Sequence, residues 1–268
     1  MNGNFWPAKI VLVVTGFSVR RIGPPASRSQ LAAGLVALAL AFPTTLRAAD
    51  SWDWSVAPYA WAPSIGADLR EGQPPAESRQ AFNDWIDKVD FAFLGHVEGQ
   101  GDRFGMFGDV IYLALSDNHD FPRLRTEGDL DAGVIELAAV MPLGERRFEG
   151  LDLFGGMRYF DVSTKARFDP VNDLLPVVTR ERDERFYDFL FGARYTIKFA
   201  DRWGLTLRGD GSTGDTDGSW SASANLQYHA GPGFWVFGYR HLEVDLPMRN
   251  SSLDLTLSGP QVGYALTF

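Results

Sequence analysis

From Tyr187 to Phe199 the chain alternates without a break. Tyr187, Phe189, Phe191, Ala193, Tyr195, Ile197 and Phe199 fall on one face, with Asp188, Gly192, Arg194, Thr196 and Lys198 on the other. A period of two over this length is a strand pattern and excludes an amphipathic helix. The stretch from Trp220 repeats it, with Trp220, Ala222, Ala224, Leu226 and Tyr228 opposed to Ser221, Ser223, Asn225, Gln227 and His229. Trp203, Leu205 and Leu207 oppose Thr206, Arg208 and Asp210 in the same way. No run of eighteen apolar residues occurs, so the sequence offers no helical membrane span.

Turn residues divide the region after residue 49 into about ten such strands: 52–70, 88–99, 103–115, 126–142, 150–163, 184–199, 203–213, 219–230, 233–245 and 252–268. Connections alternate in length. Short turns fall around Gly101, around Gly144, at Asp201 and Arg202, and at Gly231 and Pro232; longer loops cover 71–87, 116–125, 164–183, 214–218 and 246–251. This is the arrangement of a single antiparallel up-and-down transmembrane β-barrel of about ten strands, eight and twelve being the neighbouring even counts. An even count returns both ends of residues 50–268 to the short-turn rim.

Residues 1–49 read as a signal segment and not as part of the barrel. They carry Lys9, Arg20, Arg21, Arg28 and Arg47 without one Asp or Glu, and the apolar stretch LAAGLVALALAF runs from Leu31 to Phe42. Pro43 and the small pair Ala48 and Ala49 follow, completing the three-part layout of a secretory signal. A second apolar run, from Ile10 to Val19 behind Lys9, implies an over-extended start or a long signal. The whole chain has a net charge of −9, and without those five bases the remainder sets 20 basic against 34 acidic residues, or −14. Such a balance opposes a nucleic-acid partner held through phosphates. The absence of cysteine excludes a disulfide framework, a thiolate metal site and a cysteine nucleophile.

Periodicity alone does not say which face is inside, since a soluble ligand-binding barrel of lipocalin type would turn its apolar face inward. Aromatic residues recur eight positions apart on the apolar face, as Phe104 and Tyr112, Tyr187 and Tyr195, Trp220 and Tyr228. Eight residues of tilted strand rise roughly 20 Å, the scale of an apolar band between two aromatic girdles. The opposite face is rich in Gly, Ser, Asp and Arg, with Lys198 its one clear lysine. The apolar face is therefore expected to meet lipid. Asp109, Glu136, Arg158, Asp188, Arg194, Arg208, Asp210 and Arg240 are then expected to line the lumen. Buried unpaired charge is costly, so these groups either pair across the lumen as a plug or border a narrow watery path.

The closing segment GPQVGYALTF puts Val262, Tyr264, Leu266 and Phe268 on one face. It resembles the final-strand signal that bacterial outer-membrane barrels present to their assembly machinery. WSVAPYAWAPSIGADL from Trp54, FAFLGHVEG from Phe91, RFGMFGDVIYLALS from Arg103, DLFGGMRYFDV from Asp152 and FGYRHLEVD from Phe237 resemble a broad family of uncharacterised, porin-like proteobacterial outer-membrane barrels. The resemblance covers nearly all of residues 50–268. It implies an outer-membrane location; a monomer in contact with membrane lipid and lipopolysaccharide, without enzyme activity or cofactor, is the accompanying expectation. Its motifs carry fold and compartment and say little of a reaction.

Two functional expectations follow: a narrow passive channel for small solutes, or an envelope structural protein. A hydrolase acting on membrane lipid or peptide is the enzymatic alternative. Asp117, His119 and Asp120 share one predicted loop, but no second motif supports them. His241 has no serine at the spacing of barrel phospholipases. DTDGS, with Asp215, Asp217 and Gly218, imitates part of a calcium loop, yet Thr213 and Ala224 occupy its first and twelfth ligand positions, so a tight hairpin explains it better. No phosphate-binding glycine motif or metal spacing is present. Within 71–87, Phe82, Trp85, Ile86 and Val89 recur at helical spacing and predict a short amphipathic helix. The charged run from Arg180 to Arg185 reads as a solvated loop, with lipopolysaccharide contact as the sharper reading.

Overall fold

The computed structural model describes residues 52–70, 76–80, 85–121, 124–170, 177–247 and 252–268. The signal segment 1–49 and Phe82 lie outside them. The described strands are β1 (Asp53–Trp61), β2 (Ser64–Arg70), β3 (Ala76–Gln80), β4 (Val89–Gln100), β5 (Gly105–Phe121), β6 (Leu124–Pro142), β7 (Gly150–Pro170), β8 (Val178–Ala200), β9 (Trp203–Gly214), β10 (Gly218–Ala230), β11 (Gly233–Pro247) and β12 (Ser252–Thr267).

Each strand from β4 to β12 pairs antiparallel with the next, and β1 pairs with both β4 and β12, closing the sheet. The last staple of the closure is reciprocal: Trp54 N–H donates to Phe268 O at 2.8 Å and Phe268 N–H to Trp54 O at 3.0 Å. β1 and β2 both run along β12 and are interrupted at Ala62 and Pro63, where proline has no N–H to give a ladder. Counting that broken pair as one stave gives a ten-strand barrel, to which β3 adds a hairpin arm on β2.

Three sequence expectations are corrected. Residues 116–125 and 164–183 are mostly strand: β5 and β6 stay paired to Phe121 and Leu124, and β7 and β8 to Phe168 and Val178. Charged residues here conceal an alternation that still serves two faces. The helix predicted over Phe82, Trp85, Ile86 and Val89 ends earlier than expected: Trp85 is α-helical, Ile86–Lys88 tighten to a 3-10 turn, and Val89 already belongs to β4. Trp85 is buried there because its indole N–H reaches Pro63 O at 3.0 Å and closes a polar gap left by the strand break. The third correction concerns the faces. On the half of the barrel near the short turns the apolar residues point out, as with Phe189, Phe191, Leu137 and Phe237. Beyond the level of Tyr239 the sense reverses without any slip in register: Leu242, Val244 and Leu246 turn inward and are buried, while His241, Glu243 and Asp245 turn outward.

The reversed half has an apolar core. Trp61, Phe160, Phe186, Leu242, Val244 and Leu246 pack together, joined by Leu94, Ile111, Val134, Leu253, Leu255 and Leu257 from the surrounding walls. Lysines and carboxylates occupy the matching outer positions, with Lys165 3.5 Å from Glu181 and Arg185 3.8 Å from Asp161. A barrel projecting above a lipid band into water requires this inversion, because its exterior there is no longer solvated by acyl chains.

Candidate functional site

The lumen is crossed by one ion cluster below the apolar core. Glu136 on β6 is the hub. Its Oε1 accepts from Arg158 Nε at 3.0 Å, Arg158 Nη2 at 2.8 Å and Arg240 Nη2 at 3.2 Å, and its Oε2 accepts from Arg208 Nη2 at 2.7 Å. These three arginines come from β7, β11 and β9, so a single carboxylate ties opposite walls together. Arg158 is 0% and Glu136 1% exposed, which means their charges are satisfied by each other and not by bulk water. Asp210 adds a second anchor, accepting from Arg208 Nε at 2.8 Å and from Arg158 Nη2. The remaining guanidinium nitrogen of Arg158 donates to Ser219 Oγ at 2.8 Å.

A second arm extends toward the short-turn rim. Arg194 donates to Glu98 Oε2 at 2.6 Å and to Asp152 Oδ2 at 2.8 Å, while Gln100, 0% exposed, donates to Glu98 at 2.9 Å. His96 connects the arms, its two ring nitrogens 3.2 Å from Asp109 Oδ2 and 3.4 Å from Glu98 Oε2. Tyr59 donates to Asp109 Oδ1 at 2.8 Å. Asp188 is the opposed neighbour of Arg158 on β8 and accepts from Ser212 Oγ at 2.7 Å, Thr216 Oγ1 at 2.5 Å and Thr216 N–H at 3.1 Å. Arg208 also lies over the rings of Phe107 and Phe154, at 5.1 and 4.8 Å, where cation and π charge attract.

Below the cluster is a polar cavity of about 590 Å³. Arg194, Arg208 and Arg240 close its end toward the cluster; Thr196, Thr206, Asn225, Gln227 and Gln261 line its walls; Asp53, Arg147, Phe148 and His229 stand at the short-turn end. The turn 143–149 is fastened over this rim. Arg147 reaches Asp53 at 3.2 Å and Asp102 at 2.5 Å, and Lys198 pairs with Glu149. The ammonium of Lys198, hydrogen-bonded to the Glu149 carboxylate, holds that group below the usual carboxylate range. Phe148 takes φ +58°, a strained conformation for a bulky residue, and its N–H is held at 2.6 Å by Gln100 Oε1. Among the described residues no group of His, Asp or Glu is arranged to hold a metal ion.

Asp109, Glu136, Arg158, Asp188, Arg194, Arg208, Asp210 and Arg240 thus all point into the barrel, and all belong to one connected network, Asp188 joining it through Ser212 and Ser219. Phe104, Tyr187, Tyr195 and Trp220 are exposed on the outside, and Tyr112 and Tyr228 share that face half-buried. Neighbouring aromatics complete two levels: Trp203 with Tyr228 and Trp235 with Tyr264 near the short turns, Phe91 with Tyr112 and Tyr159 with Tyr187 at the other. Val262, Leu266 and Phe268 are exposed on that same outer face, and Tyr264 packs on Trp235. Sequence reasoning missed Glu98, Asp152, His96 and Gln100, whose signal was the inward parity they share with residues already chosen. Asp117, expected in a loop, lies in β5 and pairs with Lys88 at 2.7 Å; the side chains of His119 and Asp120 lie outside the described residues. Gly218, at φ +132°, closes the DTDGS hairpin. His241 lies on the outer wall, its Nδ1 2.5 Å from Ser258 Oγ on β12.

No family model matches this chain, and no curated protein does. Solved structures similar to it are bacterial outer-membrane proteins. The outer membrane protease OmpT of Escherichia coli is 9% identical, with a TM-score of 0.47 over 84% of this chain and 100% of that one. Ail of Yersinia pestis, in complex with the heparin analogue sucrose octasulfate, is 10% identical, with a TM-score of 0.34 over 81% and 100%. The translocator domain of NalP from Neisseria meningitidis is 12% identical, with a TM-score of 0.36 over 90% and 95%. The closed antiparallel ten-strand barrel rests on this chain's own strand pairing.

Proposed function

We propose that this chain is an exported outer-membrane barrel whose lumen is closed to solutes and which serves as a structural protein of the envelope rather than as a passive channel. The observation that carries the reading is the hub at Glu136, where three guanidiniums from three walls meet one buried carboxylate directly beneath an apolar core. A solute crossing the barrel would have to part these ion pairs in a low-dielectric interior and then displace packed side chains. Both costs fall on the same path.

With short turns on the periplasmic side, the polar cavity opens toward the periplasm and the inverted half stands outside the membrane. The two aromatic levels then sit at the two lipid interfaces. Phe104, Tyr112, Tyr187, Tyr195, Trp220 and Tyr228 act as girdle residues, and the last strand with Val262, Tyr264, Leu266 and Phe268 engages the assembly machinery. Lipid and lipopolysaccharide are the surrounding partners of a monomer. Reconstituted into liposomes loaded with an impermeant polymer, the protein is expected to give no osmotic swelling in arabinose beyond that of empty liposomes. Swelling at a rate proportional to protein content would refute closure.

A further inference from the structure

On the outside of the barrel three side chains adjoin one another across β11 and β12. His241 and Ser258 are a directly opposed pair, and Nδ1 lies 2.5 Å from Oγ. The other ring nitrogen, Nε2, has no hydrogen-bond partner, is shielded from solvent, and faces Glu243 Oε2 at 3.7 Å. Glu243 is itself held by the indole N–H of Trp220 at 3.1 Å, and the Trp220 ring packs on the imidazole with centroids 4.5 Å apart. The imidazole is thus fixed between a hydroxyl and a carboxylate, in the order a general base requires. A carboxylate facing Nε2 favours the tautomer protonated there, leaving Nδ1 free to accept the Ser258 proton.

We propose that Ser258, His241 and Glu243 form an esterase site for acyl esters of amphipathic lipids in the leaflet beside the barrel. The site lies where the outer face changes character. Tyr239, Phe237 and Val262 are exposed apolar residues on its short-turn side, and Glu243 and Asp245 lead away from it on the other. A lipid whose chains run along Phe237 and Val262 brings its ester carbonyl to the level of Ser258, since interfacial aromatics mark the headgroup boundary. Ser64 is the opposed neighbour of Ser258 on β2, its Cβ about 5 Å away by sheet geometry, and its hydroxyl is a donor for the oxyanion.

In the first step Ser258 Oγ bonds to the carbonyl carbon, its proton passes to His241 Nδ1, and the carbonyl oxygen takes the negative charge. Collapse breaks the bond to the alcohol oxygen, which receives the proton from Nδ1 and leaves as the lyso-lipid. Water then attacks the acyl-Ser258 ester, gives its proton to Nδ1 and releases the fatty acid, returning that proton to Oγ. Glu243 is a positioning residue that holds the ring and its Nε2 proton. The site goes beyond closure of the lumen and is independent of it, because it uses only the outer wall.

The test uses the full barrel in detergent and in vesicles, its folding checked by heat-modifiable electrophoretic mobility. A fluorophosphonate probe is expected to label wild-type protein on Ser258, located by peptide mass spectrometry. Fatty acid release is measured from phosphatidylethanolamine vesicles and, separately, from vesicles containing lipopolysaccharide; release in either arm supports the site and identifies the lipid. Ser258→Ala should fall to background and His241→Gln by about 10³-fold. Glu243→Gln should lower kcat with KM unchanged, and Glu243→Asp should recover part of it. Folded wild-type protein that takes no label at Ser258 and releases no acyl chain in either arm overturns the proposal, as does full activity in Ser258→Ala.

Discussion

Arg158 grips Glu136 twice, through Nε at 3.0 Å and Nη2 at 2.8 Å, in a place where neither side chain has meaningful access to solvent. The pair spans adjacent strands, and Arg208 and Arg240 extend it across the lumen to the far walls. Stability and closure therefore depend on the same residues. Replacing Arg158 by Met removes a charge while leaving Asp210 and Glu136 with fewer donors. This should cost about 3 kcal/mol in the urea unfolding free energy of the reconstituted barrel. A cost within error of zero would show that the cluster is solvated rather than buried.

Leu242 tests the apolar layer above it. The side chain is 2% exposed and packed among Trp61, Phe160 and Val244. Leu242→Ala should destabilise by about 2–4 kcal/mol, whereas Phe189→Ala, on the outer face, should cost less in detergent, where the micelle adapts to the gap. Equal losses for the two would contradict the inversion of faces.

Gly192 sits where β8 passes the cluster. A Cβ there would lie 2.5 Å from Phe154 Cζ and 2.7 Å from the Gly209 carbonyl oxygen, and backbone cannot step aside as a flexible side chain would. Gly192→Ala should cost roughly 1–3 kcal/mol, read from the same urea transition. Gly209→Ala, with open space around it, serves as the neutral comparison.

At the short-turn rim, Glu149 has its carboxylate held below the ordinary value of 4.5 by Lys198. A group depressed in the folded state stabilises above its unfolded value and loses that contribution as pH falls through its folded value. The Glu149–Lys198 pairing should thus be fully present at neutral pH, begin to weaken below about pH 4.5 and be lost as pH falls through the folded value. Lys198 is 43% exposed, so a double-mutant cycle with Glu149→Gln and Lys198→Met should give only about 0.5 kcal/mol at pH 7, shrinking as pH falls through the folded value of Glu149. A coupling that stays constant as the pH is lowered into acid would contradict the assignment.

The membrane-facing half of the fold was legible because one rule, alternation with the apolar side outward, holds for β8 from Tyr187 to Phe199 and for β10 from Trp220 to Tyr228. It placed all eight lumen residues inside the barrel. The same rule hid the other half, since β11 keeps its period through Arg240 and His241 while the apolar residues exchange faces. A count of periodicity is blind to that change of phase. The charged residues of 164–183 read as a loop because charge falls on both parities there, Lys165 and Glu181 on the outer face and Arg180 and Arg182 on the face that carries Phe160 and Phe186 lower down. Contacts between distant positions were beyond reach altogether. Ser258 meets His241 only because β11 and β12 are in register, and no local spacing announces a partner seventeen residues away.

Closure of the lumen is tested most directly by single-channel recording in planar bilayers with purified wild-type protein, in 1 M KCl and across both voltage polarities. The plugged barrel predicts a flat baseline at every voltage while insertion is verified independently. Discrete, reproducible conductance steps that vanish when the protein is omitted would mean that ions pass Glu136 and Leu242, and the account given for the lumen would fail.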